Sequence, residues 1–165
     1  MAERYSFTPA TAVAGFIAGF IAVLVFHQIA ALALYLVGLS PAAPYSFRAL
    51  PPFGVPQVIS QSFWGGVWGI VLVYLLPRRP RRMPAWLFGL VFGALALTLV
   101  AWFVVAPLKH LPVAAGGNPL GMLRGLIVNG AWGVGTVLLL AACGRLPGLG
   151  RQSGASSRGN FGPAD

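Results

Sequence analysis

The chain has 165 residues, of which 58% are hydrophobic and 8% charged, and a formal net charge of +9. A soluble domain carries about 25% charged residues; two acidic and eleven basic side chains are too few to keep a globule of this size solvated, which excludes a water-soluble fold and leaves one membrane domain. Nucleic-acid binding is set aside too: the basic residues stand at the ends of apolar segments, with Arg78, Arg79, Arg81 and Arg82 crowded into one turn, where such charges fix membrane orientation and meet anionic headgroups.

The first apolar segment, residues 8–38, contains no charged residue. At about 1.5 Å per residue it exceeds the roughly 30 Å hydrocarbon core, so it should tilt or project. A cleavable signal has an apolar core of about 7–15 residues behind a basic start. This segment is longer and Glu3 stands beside Arg4, so it is expected to be retained. His27 lies well inside it, next to Gln28. An ionisable residue in a span is a functional candidate because it is costly to hold there. Three roles stay open: a haem ligand, a ligand or proton site, or a neutral histidine bonded to another helix through Gln28, Gln61 or Asn129. A bis-histidine haem would have to use His110, the other histidine, and no carboxylate lies near to complete a proton path.

The following loop holds Pro41, Pro44, Pro51, Pro52 and Pro56 with Tyr45, Phe47 and Phe53. It reads as an ordered, surface-hugging connection without a regular helix, its aromatics at the headgroup interface. The second segment, 58–76, closes at Pro77 and the arginine cluster; the third, 84–106, ends at Pro107-Leu108-Lys109; the fourth, 122–143, is followed by Gly144 and Arg145. In lipid every backbone polar group needs an internal partner, which runs of this length supply as helices. Gln57, Gln61, Asn118 and Asn129 suit helix caps or interhelical hydrogen bonds, each worth about 0.6 kcal/mol in membranes. Arg124, just inside the fourth segment, can snorkel to the headgroups or line an anion pathway. With Arg48, Lys109 and His110 it would make a basic ring around an outer mouth. The single Cys143 forms no intramolecular disulfide and reads as a buried, inert thiol. Residues 144–165, rich in Gly, Ser and Arg, are expected to be a disordered tail to the 1–143 domain.

Eight basic residues (Arg4, the four of the 78–82 turn, Arg145, Arg151 and Arg158) fall on one side, against Arg48, Lys109 and Arg124 on the other. That asymmetry predicts both termini in the cytoplasm and argues against dual topology.

Two features recur. Gly65-Gly66-Val67-Trp68-Gly69 in the second segment matches Asn129-Gly130-Ala131-Trp132-Gly133 in the fourth, and Gly15-xxx-Gly19 in the first matches Gly89-xxx-Gly93 in the third. The pattern predicts two tandem helical hairpins of one orientation, related by an approximate two-fold along the membrane normal. Small residues let helix backbones approach where no hydrophobic drive exists. Trp68 and Trp132, at matching positions, read as packing residues.

The acids Glu3 and Asp165 lie at the termini. No carboxylate pair offers acid–base chemistry, and no intramembrane acid couples cation or proton transport. Neither a Cys/His zinc cluster nor a phosphate-binding glycine loop occurs.

Phe26-His27-Gln28, Pro52-Phe53-Gly54-Val55-Pro56, the 63–69 run, Val105-Ala106-Pro107-Leu108-Lys109 and the 129–133 run together resemble a group of uncharacterised proteobacterial four-helix inner-membrane proteins. The resemblance covers roughly residues 10–143, implies a bacterial inner-membrane location, and carries over no functional residue.

The sequence thus predicts an all-α integral membrane four-helix bundle without cofactor or catalytic residues. It would be a non-enzymatic assembly or accessory subunit, associating with lipid and, through its glycine faces, with a second copy or a larger membrane complex. Two alternatives are carried: a channel or carrier for a small neutral or anionic solute, and a haem-binding electron-transfer subunit.

Overall fold

The computed structural model describes residues 7–145. Four helices are long and apolar enough to cross a membrane: α1 Pro9–Leu36, α2 Gln57–Arg78, α3 Ala85–Leu108 and α4 Pro119–Ala142. The expected tail lies outside the described residues beyond Arg145.

Local chemistry sets the ends. Thr8 caps α1, its hydroxyl accepting from Thr11 N at 3.2 Å, and Pro9 takes the first turn, where a missing N–H costs nothing. Asn118 caps α4 in the same way, Oδ1 accepting from Gly121 N at 3.0 Å, with Pro119 following. This cap moves the start of α4 three residues ahead of the expected Met122. Helix α3 runs to Leu108, past the expected stop at Ala106. A π-turn at Ala101–Val105 precedes Pro107; widening of the hydrogen-bond ladder is how a helix accommodates a residue without an N–H. Two further π-turns lie at Val23–His27 in α1 and Gly93–Leu97 in α3.

The loop after α1 has no helix, as its prolines predict, but it contains a short hairpin. β1, Ala49–Leu50, pairs antiparallel with β2, Val55–Pro56, and Gly54 turns at φ +68.

Helices α1 and α2 are antiparallel and cross backbone to backbone. A Cβ built on Gly15 would stand 2.8 Å from the Gly69 carbonyl oxygen, and one on Gly19 would overlap that of Gly65. Helices α3 and α4 repeat the arrangement: Gly89 faces Gly133, and Gly93 faces the Asn129 carbonyl. Such approach favours van der Waals packing and Cα–H···O contacts. The hairpins are joined by α1 against α4. Trp132, 1% exposed, donates its Nε1–H to the Gly19 carbonyl at 2.9 Å, and the Phe26 ring lies on Gly135. On the other side Trp68 meets Phe92 edge-on at 5.9 Å. Leu72, Val73, Leu76, Val137 and Leu140 fill the space between the hairpins. Ser62 and Thr136 are buried and satisfied by the carbonyls of Val58 and Trp132, one turn back.

The glycine faces predicted to meet a partner are therefore occupied inside the chain. Cys143, expected to be buried, is exposed: it caps the end of α4, beyond the packed layer. Arg145 Nη1 reaches the Ala10 carbonyl at 3.5 Å, so the end of α4 sits beside the start of α1. Arg78–Arg82 share that end of the bundle. The 37–56 and 109–118 connections share the other, called the loop end below.

Candidate functional site

At the loop end a cleft of about 730 Å³ opens between α1, the first two turns of α2 and the 40–48 part of the loop. Its polar lining includes His27, Gln28, Ser40, Ser46, Arg48, Gln57 and Gln61; Ala31, Ala42, Ala43 and Pro44 make the apolar wall.

Tyr45 builds it. This residue adopts φ 55, a left-handed conformation that costs a non-glycine residue about 1–2 kcal/mol. Two hydrogen bonds hold it there: its N–H donates to Gln28 Oε1 at 2.8 Å and its hydroxyl to the Leu24 carbonyl at 2.7 Å. The acceptor carbonyl lies in the π-turn of α1, where the regular ladder is interrupted. Gln28 is 3% exposed, so its carbonyl would be costly to bury without this partner. On the α2 side the loop caps the helix directly. Gln57 N donates to the Arg48 carbonyl at 2.9 Å and Val58 N to the Ser46 carbonyl at 3.0 Å. The loop is thus tied to both helices, and Gln57 and Gln61, one turn apart on α2, line the same cleft.

His27 lines the cleft from α1. Its Nδ1 is buried and meets no hydrogen-bond partner among the described residues. The expected bond from His27 to Gln28, Gln61 or Asn129 is not formed; Gln28 Oε1 accepts from Tyr45 N instead, and Asn129 bonds within the second hairpin. Asn129 Nδ2 donates to Thr98 Oγ1 at 2.9 Å, joining α4 to α3, and Thr98 Oγ1 donates to the Gly125 carbonyl at 3.3 Å.

Of the five polar residues singled out in the sequence, the structure brings together His27, Gln28 and Gln61 and leaves out Asn129 and Arg124. Arg124 Nε donates to the Leu120 carbonyl at 3.0 Å, along the first turns of α4. Lys109 and His110 are exposed in the other connection and do not line the cleft. Of the expected basic ring around an outer mouth only Arg48 lines the cleft; the sequence reading missed Tyr45 as a latch and Ser46 as lining. The signal available was their place between prolines, which restrict the conformations a loop can take. Among the described residues no three His, Cys, Asp or Glu side chains cluster as metal ligands.

Comparison of the chain with family models, curated proteins and solved structures finds no match. The functional reading therefore rests on the site.

Proposed function

We propose that the chain is a non-enzymatic multi-pass protein of the bacterial inner membrane, both termini cytoplasmic, acting as an accessory or assembly subunit by recognition at its loop end. One observation carries this reading: the glycine faces and the interhelix core are consumed by internal packing, while a polar, preformed cleft stays open at one end. The charge distribution supports the orientation. Among the described residues Arg78, Arg79, Arg81, Arg82 and Arg145 share the terminal end, against Arg48, Lys109 and Arg124 at the loop end. The matched crossings, Gly15 and Gly19 with α2 and Gly89 and Gly93 with α4, support a tandem origin for the hairpins.

A solute carrier is the second reading, favoured by the cleft itself. Against it, the α1 residues beyond His27 toward the bundle middle are Val23 and Ala22, buried beside Trp132 in the core. A haem subunit is the weakest reading, since His110 does not join His27 at the cleft.

The test is native mass spectrometry of the protein extracted gently from its own membrane. A heavier species containing a distinct protein, or a retained small molecule, is expected. A bare chain, together with solute flux into liposomes that His27→Ala abolishes, would replace this reading with the carrier.

A further inference from the structure

Resting on that recognition reading, we propose that the loop-end cleft binds a phosphate-type anion, with the Arg48 guanidinium as its charge partner and the Gln57 and Gln61 amides as neutral donors.

Charge decides the sign of the ligand. Residues 7–145 contain no aspartate or glutamate, so no side chain near the cleft repels an anion or neutralises Arg48. Other arginines use their guanidinium groups within the chain: Arg124 on the Leu120 carbonyl, Arg78 on the Tyr74 carbonyl and ring. Arg48 has no acceptor for its side chain among the described residues, although its carbonyl is fixed by Gln57 N. A planar guanidinium left free at the rim of a cleft matches the oxygens of phosphate in a two-pronged geometry. Helix α2 begins at Gln57 with no side-chain cap, and its dipole adds positive potential on the same wall.

Shape decides the size. About 730 Å³ falls within the range of small-molecule sites, roughly 300–1,000 Å³, and exceeds what a bare phosphate fills. The cleft therefore leaves room for a polar substituent on the anion, on the side of Gln61 and the unpartnered Nδ1 of His27. The Tyr45 latch holds the cleft open before binding, which lowers the ordering cost of association. A lipid headgroup and a soluble phosphate ester share this chemistry. Phe47 and Phe53, 73% and 88% exposed on the same loop, put the site at the depth where lipid phosphates lie.

The experiment uses the full-length chain in phosphatidylcholine nanodiscs, analysed by native mass spectrometry after release. One arm adds phosphatidylglycerol to the disc; the other adds glycerol 3-phosphate to the buffer. A single adduct per chain is expected in at least one arm, and which arm names the source. Arg48→Gln should lower its occupancy at least about tenfold, the worth of a charge-assisted hydrogen bond. Gln61→Leu should lower it less, and Arg124→Gln should leave it unchanged. Arg48 and Gln61 are both exposed, so neither change threatens the fold. An adduct that survives Arg48→Gln, or falls equally with Arg124→Gln, would overturn the site. If neither anion is retained but an uncharged compound from the cells is, the anion fails and recognition stands. A chain bare in every arm and from native membranes removes both.

Discussion

In the first hairpin Gly15 and Gly19 of α1 meet Gly69 and Gly65 of α2; in the second, Gly89 and Gly93 of α3 meet Gly133 and Asn129 of α4. The crossings are alike and the loop ends are not. Registered on these contacts, Gln28 of the first hairpin corresponds to Trp102 of the second, and Gln57 and Gln61 correspond to Gly121 and Gly125. One π-turn precedes Gln28 in α1, and one precedes Trp102 in α3, where a second spans Trp102 itself. In the second hairpin the matching positions are glycines with close side-chain neighbours. A Cβ on Gly125 would sit 3.5 Å from Trp102 Nε1, and one on Gly121 would sit 2.9 Å from the Ala115 side chain. In the first, longer polar side chains and a proline-rich loop hold the walls apart. The same backbone crossing thus supports a close-packed end or an open one. The choice rests on a few side chains that contribute nothing to the crossing.

The largest expected effect tests the likeness. Gly69→Leu and Gly133→Leu both push a side chain into a carbonyl of the facing helix, where backbone cannot yield. Each should cost more than about 3 kcal/mol, beyond ordinary overpacking of a core, read as the shift in reversible unfolding by sodium dodecyl sulfate in mixed micelles. Similar losses in both keep the hairpins equivalent; a loss in one alone breaks the comparison. The damage should appear as loss of the folded chain, because these glycines pack within it.

Next comes the buried hydrogen bond that joins the hairpins, from Trp132 Nε1 to the Gly19 carbonyl. Trp132→Phe removes the second donor to the buried Gly19 carbonyl, which keeps the Val23 N–H, and opens a small void, a loss of about 1–2 kcal/mol. Trp68→Phe, at the matching position, removes only an edge contact with Phe92 and should cost less than half as much. Equal losses in the same unfolding assay would mean that the joint is symmetric after all.

The helices, their number and the residues of the crossings were legible in the sequence, because lipid allows few ways to bury a backbone and glycine spacing at four marks a close approach. Which face each glycine pair would meet was not legible. Gly15-xxx-Gly19 reads identically whether its partner is α2 or another chain, and the long 37–56 connection does not force either choice. His27 was found by its position in an apolar run, a signal that needs no partner. The cleft around it was not, since its walls depend on Tyr45, seventeen residues from Gln28, adopting a conformation that tyrosine rarely takes. The Asn118 cap was anticipated as one of two roles, and its effect on the start of α4 followed from Pro119 beside it.

A third test addresses the open end. Gln28→Leu removes the acceptor for Tyr45 N and should cost about 1–2 kcal/mol, concentrated in the loop. Amide hydrogen exchange should rise across residues 40–48 and stay unchanged at 111–118. Tyr45→Phe, which removes only the bond to the Leu24 carbonyl, should do the same at about half the magnitude, near the 0.6 kcal/mol average for hydrogen bonds in membranes. Exchange that rises equally in both loops would show that the two ends are coupled through the bundle.

The smallest effect concerns the close-packed end. Its connection, residues 113–117, turns through four successive residues of positive φ, Ala114, Ala115, Gly116 and Gly117, at 48, 55, 68 and 75. An alanine in that region costs about 1–2 kcal/mol, and glycine removes the strain while losing about 0.5–1 kcal/mol of chain entropy. Ala114→Gly should therefore stabilise the protein by at most about 1 kcal/mol. Ala115→Gly should gain less, because the Ala115 side chain also covers Gly121. If Ala115→Gly instead destabilises and lets water reach Gly121, seen as faster exchange of the Gly121 amide despite its Asn118 cap, then that single methyl group seals the second hairpin. The contrast between a close-packed and an open end would then trace to one side chain in the turn rather than to the glutamines of the first hairpin.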